Sequence, residues 1–252
     1  MTGELAGLAI SPVWLGRGIA SGYGRPVLLV PGLGVPDASL ELLASWVGLR
    51  GYRTHRARVG INVGCSEKIC GRLETRLESI AFDAGERVAI IGHSRGGVLA
   101  KAVAAARPDL VSGIATLGSP TVISRPLVPR SGAIALAAML HRGHLPNVLS
   151  WRCLSGTCGT RFARGLTGSF PARVGYVSIY SRSDQIAPWQ HCRHPSARCV
   201  EVRSSHLGMA HNAAVYPEIG RALGSFAPRR RGPRLSQAVR QAQAVSRALA
   251  PI

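Results

Sequence analysis

The chain has 252 residues, of which 46% are hydrophobic and 17% are charged. This length and composition are typical of one globular domain with a full hydrophobic core, and they exclude an intrinsically disordered protein. Lys and Arg number 31 against 12 Asp and Glu, which gives a formal net charge of +19. Because the Arg residues are spread along the whole chain and no nucleic-acid-binding motif occurs, we do not expect nucleic acid to be a partner.

The N-terminal residues lack the pattern of an export signal. Glu4 is the first charged residue, and no Lys or Arg precedes the apolar stretch. The longest apolar run, residues 133–140, is far too short to span a bilayer. The sequence therefore predicts a cytoplasmic protein, and it leaves open an attachment to the surface of a membrane.

The first half of the chain alternates short apolar runs with segments of helical periodicity. Residues 27–30 are aliphatic and lead into the turn Pro31-Gly-Leu-Gly34, which predicts a buried strand followed by a Gly-rich loop. Three further segments follow in order: a helix over 37–47, a strand over 53–59 and a helix over 66–80.

Residues 88–106 carry the clearest strand and helix of the sequence. The run 88–91 is apolar at every position, as a parallel strand between two layers of helices must be. A Gly-rich turn and an Ala-rich helix over 98–106 follow it. Later patterns predict strands over 111–117, 174–180 and 199–202, and a last helix over 213–223. The predicted fold class is α/β, with a mostly parallel sheet and helices on both faces.

Two segments interrupt this alternation. Residues 120–172 contain prolines, Gly-rich turns and one apolar helix-like piece over 134–140, which predicts a cap or lid inserted over the strand ends. Residues 227–252 carry six Arg and no Asp or Glu. We therefore divide the chain into a domain over 1–226 and a basic tail over 227–252. The tail is expected either to bind an anionic membrane surface by its charge or to stay solvated.

The segment Gly92-His93-Ser94-Arg95-Gly96 has the pattern G-x-S-x-G. The pattern alone is common by chance, but here an apolar strand enters it and an Ala-rich helix leaves it. That context is typical of the sharp turn that exposes a nucleophilic serine above a sheet. Ser94 is therefore the candidate nucleophile, at the positive N-terminal end of a helix.

Four segments resemble the lipase and esterase branch of the α/β-hydrolase superfamily, over about Pro26 to Leu223. They are Val27-Leu-Leu-Val-Pro-Gly-Leu-Gly34, Ile91-Gly-His-Ser-Arg-Gly-Gly97, Tyr180-Ser-Arg-Ser-Asp184 and Ser205-His-Leu-Gly208. The resemblance implies the α/β-hydrolase fold and a catalytic triad in the chain order Ser, Asp, His.

The acid and the base can also be reached from the residues themselves. Only three carboxylates lie between Ser94 and His206, namely Asp109, Asp184 and Glu201. Asp184 follows the C-terminal end of a predicted strand, where catalytic groups gather in parallel sheets. His206 follows the next strand and begins a loop, as the family's histidine does, and His211 is the alternative base.

The resemblance implies that Ser94 forms an acyl-enzyme and that backbone N–H groups of Leu33 and Arg95 stabilise the oxyanion. The expected reaction is hydrolysis of a small acyl ester. Two alternatives stay open: an acyltransferase or thioesterase with the same triad, and a non-catalytic basic protein that binds membranes. The acyl chain length and the oligomeric state are not assigned by the sequence.

Six cysteines form three close pairs in the sequence: Cys65/Cys70, Cys153/Cys158 and Cys192/Cys199. These spacings would suit local disulfides in an oxidising compartment, but without an export signal we favour free thiols. The stretch His191-Cys192-x-His194-x4-Cys199 has metal-ligand residue types without the paired C-x2-C spacing of zinc sites. We therefore expect neither a metal nor a cofactor.

Overall fold

The computed structural model describes residues 2–122, 149, 151–154 and 157–226. The strands are Pro26–Val30 (β1), Arg53–Arg56 (β2), Val88–His93 (β3), Val111–Leu117 (β4), Gly175–Tyr180 (β5) and Arg198–Glu201 (β6). The α-helices are Thr2–Ala9 (α1), Glu41–Leu49 (α2), Ser66–Ala84 (α3), Arg95–Ala106 (α4), Trp151–Leu154 (α5), Thr160–Thr167 (α6), Trp189–Cys192 (α7) and Val215–Ser225 (α8). Short 3₁₀ helices lie at Pro12–Leu15, Asp37–Leu40 and Met209–His211.

The strands form one sheet in the order β2-β1-β3-β4-β5-β6. Every pair of neighbours is parallel, so the carboxyl ends of all six strands lie at one edge. The α/β class predicted from the sequence, with a mostly parallel sheet, is confirmed. A parallel sheet needs covering on both faces, and this explains the apolar strands.

Each central strand sends alternate side chains into two separate cores. In β1, Leu28 and Val30 enter one core, and Val27 and Leu29 enter the other. The first core is covered by α3, α4 and α6, and the second by α1, α2 and α8. The sheet is thus enclosed between two helical layers, and its carboxyl edge is where loops can gather.

Two boundaries differ from the predicted ones for local reasons. Strand β2 ends at Arg56 instead of reaching residue 59, because Arg58 has a positive φ of 57° that an extended strand cannot continue through. Helix α4 begins at Arg95, three residues before the predicted start. Gly96 and Gly97 form its first turn, and glycine is a weak helix former in a sequence-based prediction.

Most of the predicted cap over 120–172, including its helix-like piece over 134–140, lies outside the described residues. The basic tail over 227–252 lies outside them as well, so both assignments stay predictions. The described end of the cap region is fixed to the domain: the Leu149 N–H donates to the Val63 carbonyl at 2.7 Å. Helix α6 packs on α4, where Gly165 faces the backbone of Ala102. None of the helices in the described ranges is long and apolar enough to cross a bilayer.

The contact between α6 and α4 makes a testable prediction about stability. A Cβ atom at Gly165 would lie 2.6 Å from the Ala102 carbonyl oxygen, which is backbone and cannot turn aside. Alanine gains about 1 kcal/mol over glycine in a helix, but overpacking of this kind costs about 1–3 kcal/mol. We expect Gly165→Ala to lower the free energy of unfolding by about 1–2 kcal/mol in urea titrations.

Gly71→Ala in α3 is the matched control. A Cβ atom there would meet only Arg161 Nη1, at an ordinary 3.6 Å. This variant should keep or raise the stability, because the helix propensity acts alone. An equal stabilisation by both substitutions would contradict the close packing of α6 on α4.

Candidate active site

Ser94 occupies a strained turn between β3 and α4. Its backbone has φ 53° and ψ −123°, a conformation that side-chain-bearing residues rarely adopt and that costs about 1–3 kcal/mol. The Ser94 N–H donates to the Leu117 carbonyl at 2.8 Å, which anchors the turn to the neighbouring strand. The turn lifts the hydroxyl above the carboxyl edge of the sheet.

The residues two positions before and after Ser94 must be glycine. A Cβ atom at Gly92 would lie 2.5 Å from the Gly97 Cα atom, and one at Gly96 would collide with the Val30 carbonyl oxygen. Both obstacles are backbone atoms, so neither can rotate away. The G-x-S-x-G spacing is therefore a steric requirement of this turn.

The structure brings together the three side chains that the sequence assigns to the triad. His206 Nε2 lies 2.9 Å from Ser94 Oγ, and His206 Nδ1 lies 2.7 Å from Asp184 Oδ2. Because a carboxylate only accepts, Nδ1 carries the proton and Nε2 accepts from the serine hydroxyl. The three residues follow β3, β5 and β6 at the same edge of the sheet, and this order of hydrogen bonds can activate a nucleophile.

The Asp184 carboxylate is held on both oxygens. Oδ1 accepts the N–H groups of Ile186 and Ala187, each at 2.8 Å, while Oδ2 accepts from His206. The side chains of Asp184 and His206 are only 1% and 5% exposed. Gly118, with φ +53°, leaves the space they need, because a Cβ atom there would lie 3.0 Å from Asp184 Oδ2. The carboxylate is therefore fixed to orient the imidazole.

The other candidates for the acid and the base make contacts outside the triad. Asp109 pairs with Arg107 at 3.0 Å, and Glu201 pairs with Arg182 at 3.1 Å. His211 ends a 3₁₀ helix, and its Nδ1 is buried with no hydrogen-bond partner in the part of the chain that the structure describes. Of the three carboxylates between Ser94 and His206, only that of Asp184 is hydrogen-bonded to His206.

Asn62, which the sequence analysis missed, connects the two segments assigned to the oxyanion hole. This fully buried residue donates from Nδ2 to the Pro31 carbonyl at 2.7 Å. Its own carbonyl accepts the Gly34 N–H at 3.4 Å and a guanidinium proton of Arg95 at 2.8 Å. The loop that carries Leu33 is thereby fixed relative to Arg95, whose N–H stands at the open first turn of α4.

The Arg95 side chain runs along residues 62–66. It donates to the Gly64 carbonyl at 2.6 Å and to Ser66 Oγ at 3.0 Å, besides its bonds to Asn62. Burial lowers the pKa of Arg95 to about 10. All of these acceptors are neutral, and no carboxylate forms an ion pair with Arg95 among residues 2–122 and the other described segments.

His93 supports the base without being part of the triad. Its Nε2 lies 2.9 Å from the His206 carbonyl oxygen, which can only accept, so His93 is the donor. Burial, with a smaller contribution from the neighbouring His206, lowers the pKa of His93 to about 4. His93 is therefore neutral near pH 7 and holds the backbone of the loop that presents His206.

Glu4 holds the same loop from the N-terminal helix, a role that the sequence did not reveal. Its carboxylate accepts the Ser205 N–H, the Ser205 hydroxyl and the Ser204 hydroxyl, each at 2.7 Å. Partial burial alone would raise the pKa of Glu4, but the hydrogen bonds from Ser205 and Ser204 outweigh it and lower the pKa to about 2. A lone Glu in a short helix carries no sequence pattern that would have identified it.

The Glu4 carboxylate generates a prediction about acid stability. Because its pKa is lowered from 4.5 to about 2, its contribution is present above pH 4.5 and is lost as the pH falls towards 2. We expect Glu4→Gln to lower the free energy of unfolding by about 1–2 kcal/mol at pH 7, since one amide cannot replace all of these hydrogen bonds. Thermal unfolding of both proteins should show the difference shrinking as the pH falls from 5 to 2.

Glu41→Gln is the control for that experiment. The Glu41 carboxylate is half exposed and pairs with Arg56 at 2.6 Å on the surface. Its replacement should change the stability by less than about 1 kcal/mol. A Glu4→Gln variant no less stable than Glu41→Gln would show that Glu4 does not hold the loop of His206.

No protein-family model matches the chain. A triacylglycerol lipase of Burkholderia plantarii is 30% identical over 122 residues, which are 45% of this chain and 34% of that protein. A triacylglycerol lipase of Pseudarthrobacter phenanthrenivorans is 32% identical over 104 residues, which are 38% of this chain and 33% of that protein. The matched segments therefore span about a third of the length of these curated relatives.

Solved structures resemble the chain over most of its length. The mature lipase of Bacillus licheniformis has a TM-score of 0.61 at 15% identity, over 82% of this chain and 94% of that one. A soluble variant of the monoglyceride lipase of Saccharomyces cerevisiae has a TM-score of 0.60 at 15% identity, over 83% and 91%. The thioesterase domain from the curacin biosynthetic pathway has a TM-score of 0.52 at 16% identity, over 81% and 93%. At these identities the likeness establishes a shared fold.

Proposed function

We propose that this chain, which has the α/β-hydrolase fold, is a serine hydrolase that cleaves carboxylic esters through an acyl-enzyme on Ser94. The observation that carries the proposal is the continuous hydrogen-bonded series Ser94, His206, Asp184 at the strained turn after β3. The names of the relatives agree with it, since the two curated ones are triacylglycerol lipases.

In the first half of the reaction, His206 Nε2 accepts the Ser94 hydroxyl proton as Oγ attacks the acyl carbonyl carbon. Asp184 keeps Nδ1 protonated and stabilises the imidazolium that forms. His206 then gives its proton to the departing alcohol oxygen, and the acyl group stays on Ser94. In the second half, His206 takes a proton from water, which attacks the acyl-enzyme and releases the acid.

The oxyanion that forms in each half is assigned to the backbone N–H groups of Leu33 and Arg95. Each such donor contributes about 3 kcal/mol to the stability of the transition state. Their separation must be maintained for both to reach one oxygen atom. Asn62 supports this, because it bonds to the loop of Leu33 and to the Arg95 side chain at once.

The same triad could pass the acyl group from Ser94 to a nucleophile other than water. The structural likeness to a thioesterase domain is the observation that keeps a thioester substrate as the second candidate. A comparison of p-nitrophenyl acyl esters with acyl thioesters of equal chain length distinguishes the two. A higher kcat/KM for the esters supports an esterase, and a higher kcat/KM for the thioesters supports a thioesterase.

Replacement of the nucleophile tests the proposal directly. We expect Ser94→Ala to lower the hydrolysis of p-nitrophenyl esters by about 10⁴-fold or more, because the acyl-enzyme cannot form. A fluorophosphonate probe should label the wild-type protein at Ser94 and leave this variant unlabelled. Ser196→Ala, which changes an exposed serine, should keep both activity and labelling. Labelling that survives Ser94→Ala would refute the assignment.

The identity of the base gives a second prediction. We expect His206→Ala to lose as much activity as Ser94→Ala, and the double variant to lose little more, because the two residues act as a unit. His211→Ala should retain activity within about tenfold of the wild type, since it changes none of the triad's hydrogen bonds. Steady-state kinetics on one ester decide the point. An inactive His211→Ala variant with an active His206→Ala variant would reverse the assignment.

A further inference from the structure

Three cysteines from two distant segments meet beside the first turn of α3. Cys65 precedes this helix, Cys153 belongs to α5, and Cys158 lies just before α6. Cys65 Sγ is 3.1 Å from Cys158 Sγ and 3.9 Å from Cys153 Sγ, and all three sulfur atoms lie within 4.8 Å of one another. Cys153 and Cys158 are buried and Cys65 is partly buried, so the group is largely closed to solvent.

Two backbone N–H groups at the start of α3 face this thiol cluster, while burial raises the pKa of the Cys158 thiol to about 12. The Ser66 N–H, at the first position of the 19-residue helix α3, donates to Cys153 Sγ at 3.4 Å. The next N–H, that of Glu67, donates to the thiol of Cys158. The N-terminus of a helix carries a partial positive charge, so these donors are matched to thiolates.

Arg95 supplies a full positive charge next to the cluster. Its guanidinium donates to Ser66 Oγ at 3.0 Å, one residue beyond Cys65. A guanidinium withdrawn from water is stable only when an anion or several acceptors compensate it, and here the described acceptors are all neutral. Thiolates at the cluster would place an anion beside these neutral acceptors.

We propose that Cys65, Cys153 and Cys158 bind one thiophilic divalent cation of the Zn²⁺ class as thiolates. Each thiol releases its proton to solvent, so three thiols and one cation give a complex of charge −1 and three protons. Arg95 balances that charge. A fourth ligand position is left for a water molecule, as a tetrahedral ion requires.

The distances suit this ligand set. Two sulfur atoms bonded at about 2.3 Å to one tetrahedral ion lie about 3.8 Å apart. The separation of Cys65 and Cys153 is 3.9 Å, and Cys65 and Cys158, at 3.1 Å, need to open by about 0.7 Å. Such an ion would fasten the described residues around Cys153 and Cys158, which belong to the predicted cap region, to the helix that Arg95 contacts.

A disulfide between Cys65 and Cys158 is the competing product. It would use two of the three sulfur atoms, carry no charge and leave Arg95 without an anion. The structure records all six cysteines as thiols, and it places Cys65 against Cys158 instead of against its sequence neighbour Cys70. Within the described ranges no other group of three Cys, His, Asp or Glu ligand atoms lies as close together.

This site departs from the absence of metal expected from the sequence, and it does not depend on the proposed esterase activity. The test uses the full-length protein, reduced with a phosphine, freed of metal with a chelator and titrated anaerobically with Co²⁺ and then Zn²⁺. We expect about one Co²⁺ per chain, with the absorption of thiolate-to-cobalt charge transfer, and its displacement by Zn²⁺. Elemental analysis of the zinc-treated protein should give the same stoichiometry.

Cys65→Ser and Cys158→Ser should bind Co²⁺ at least about tenfold more weakly, while Cys199→Ser, outside the cluster, should bind like the wild type. Circular dichroism shows whether each variant is folded. If a variant fails to fold, the wild-type spectrum decides, because only thiolate ligands give the charge-transfer bands. Ser94→Ala should bind Co²⁺ normally, which separates this proposal from the esterase activity.

Two results would overturn the proposal. The first is a wild-type protein that takes up no more Co²⁺ or Zn²⁺ than Cys65→Ser. The second is a disulfide between Cys65 and Cys158 in protein purified without reductant. Mass spectrometry would show it as a mass lower by two hydrogen atoms than that of the reduced protein, and as a pair of peptides joined through these two cysteines.

Discussion

The strained backbone at Ser94 is the constraint on which the site depends. A φ of 53° at a residue with a side chain persists only where its surroundings leave no alternative, and here they are the backbone of β1, β4 and α4. The Ser94 N–H is bonded to β4, and glycines on either side pass within contact of backbone atoms. The hydroxyl is thereby fixed at the edge where the loops after β5 and β6 end. Asp184 on the loop after β5 and His206 on the loop after β6 then need to span only 2.7 Å to each other and 2.9 Å from His206 to Ser94.

The proposed base, His206, depends on supports from two parts of the chain that are distant in sequence. Glu4, in the N-terminal helix, binds the backbone and hydroxyl of Ser205, and His93, beside the nucleophile, binds the carbonyl of His206. These contacts fix the backbone of the loop before the imidazole makes any bond to Ser94. The imidazole can therefore change its protonation during a reaction cycle without losing its position, which is the condition for general base catalysis.

Arg95 joins this machinery to the thiol cluster. Its backbone N–H begins the helix whose dipole faces the site, and its guanidinium binds Asn62 and Ser66. Asn62 in turn binds the loop of Leu33, while Ser66 begins the helix against which the three thiols lie. Arg95 would thus link a cation bound by the three thiols to an oxyanion formed at Ser94. The part of the predicted cap region that carries Cys153 and Cys158 would be held to the same helix as the loop proposed for the oxyanion hole.

The sequence by itself determined the α/β class, and it predicted the turn at Ser94 and the pairing of Asp184 with His206 as the proposed acid and base. It could do so because these properties are local: apolar runs mark parallel strands, and residues that directly follow parallel strands converge at one edge. Only the tertiary structure decided the contacts of Glu4 and Asn62 and the partners of Cys65. Cys65 and Cys158 are 93 positions apart, and Glu4 and Ser205 are 201 apart. No periodicity links such residues, because their meeting depends on how the helical layers pack on the sheet.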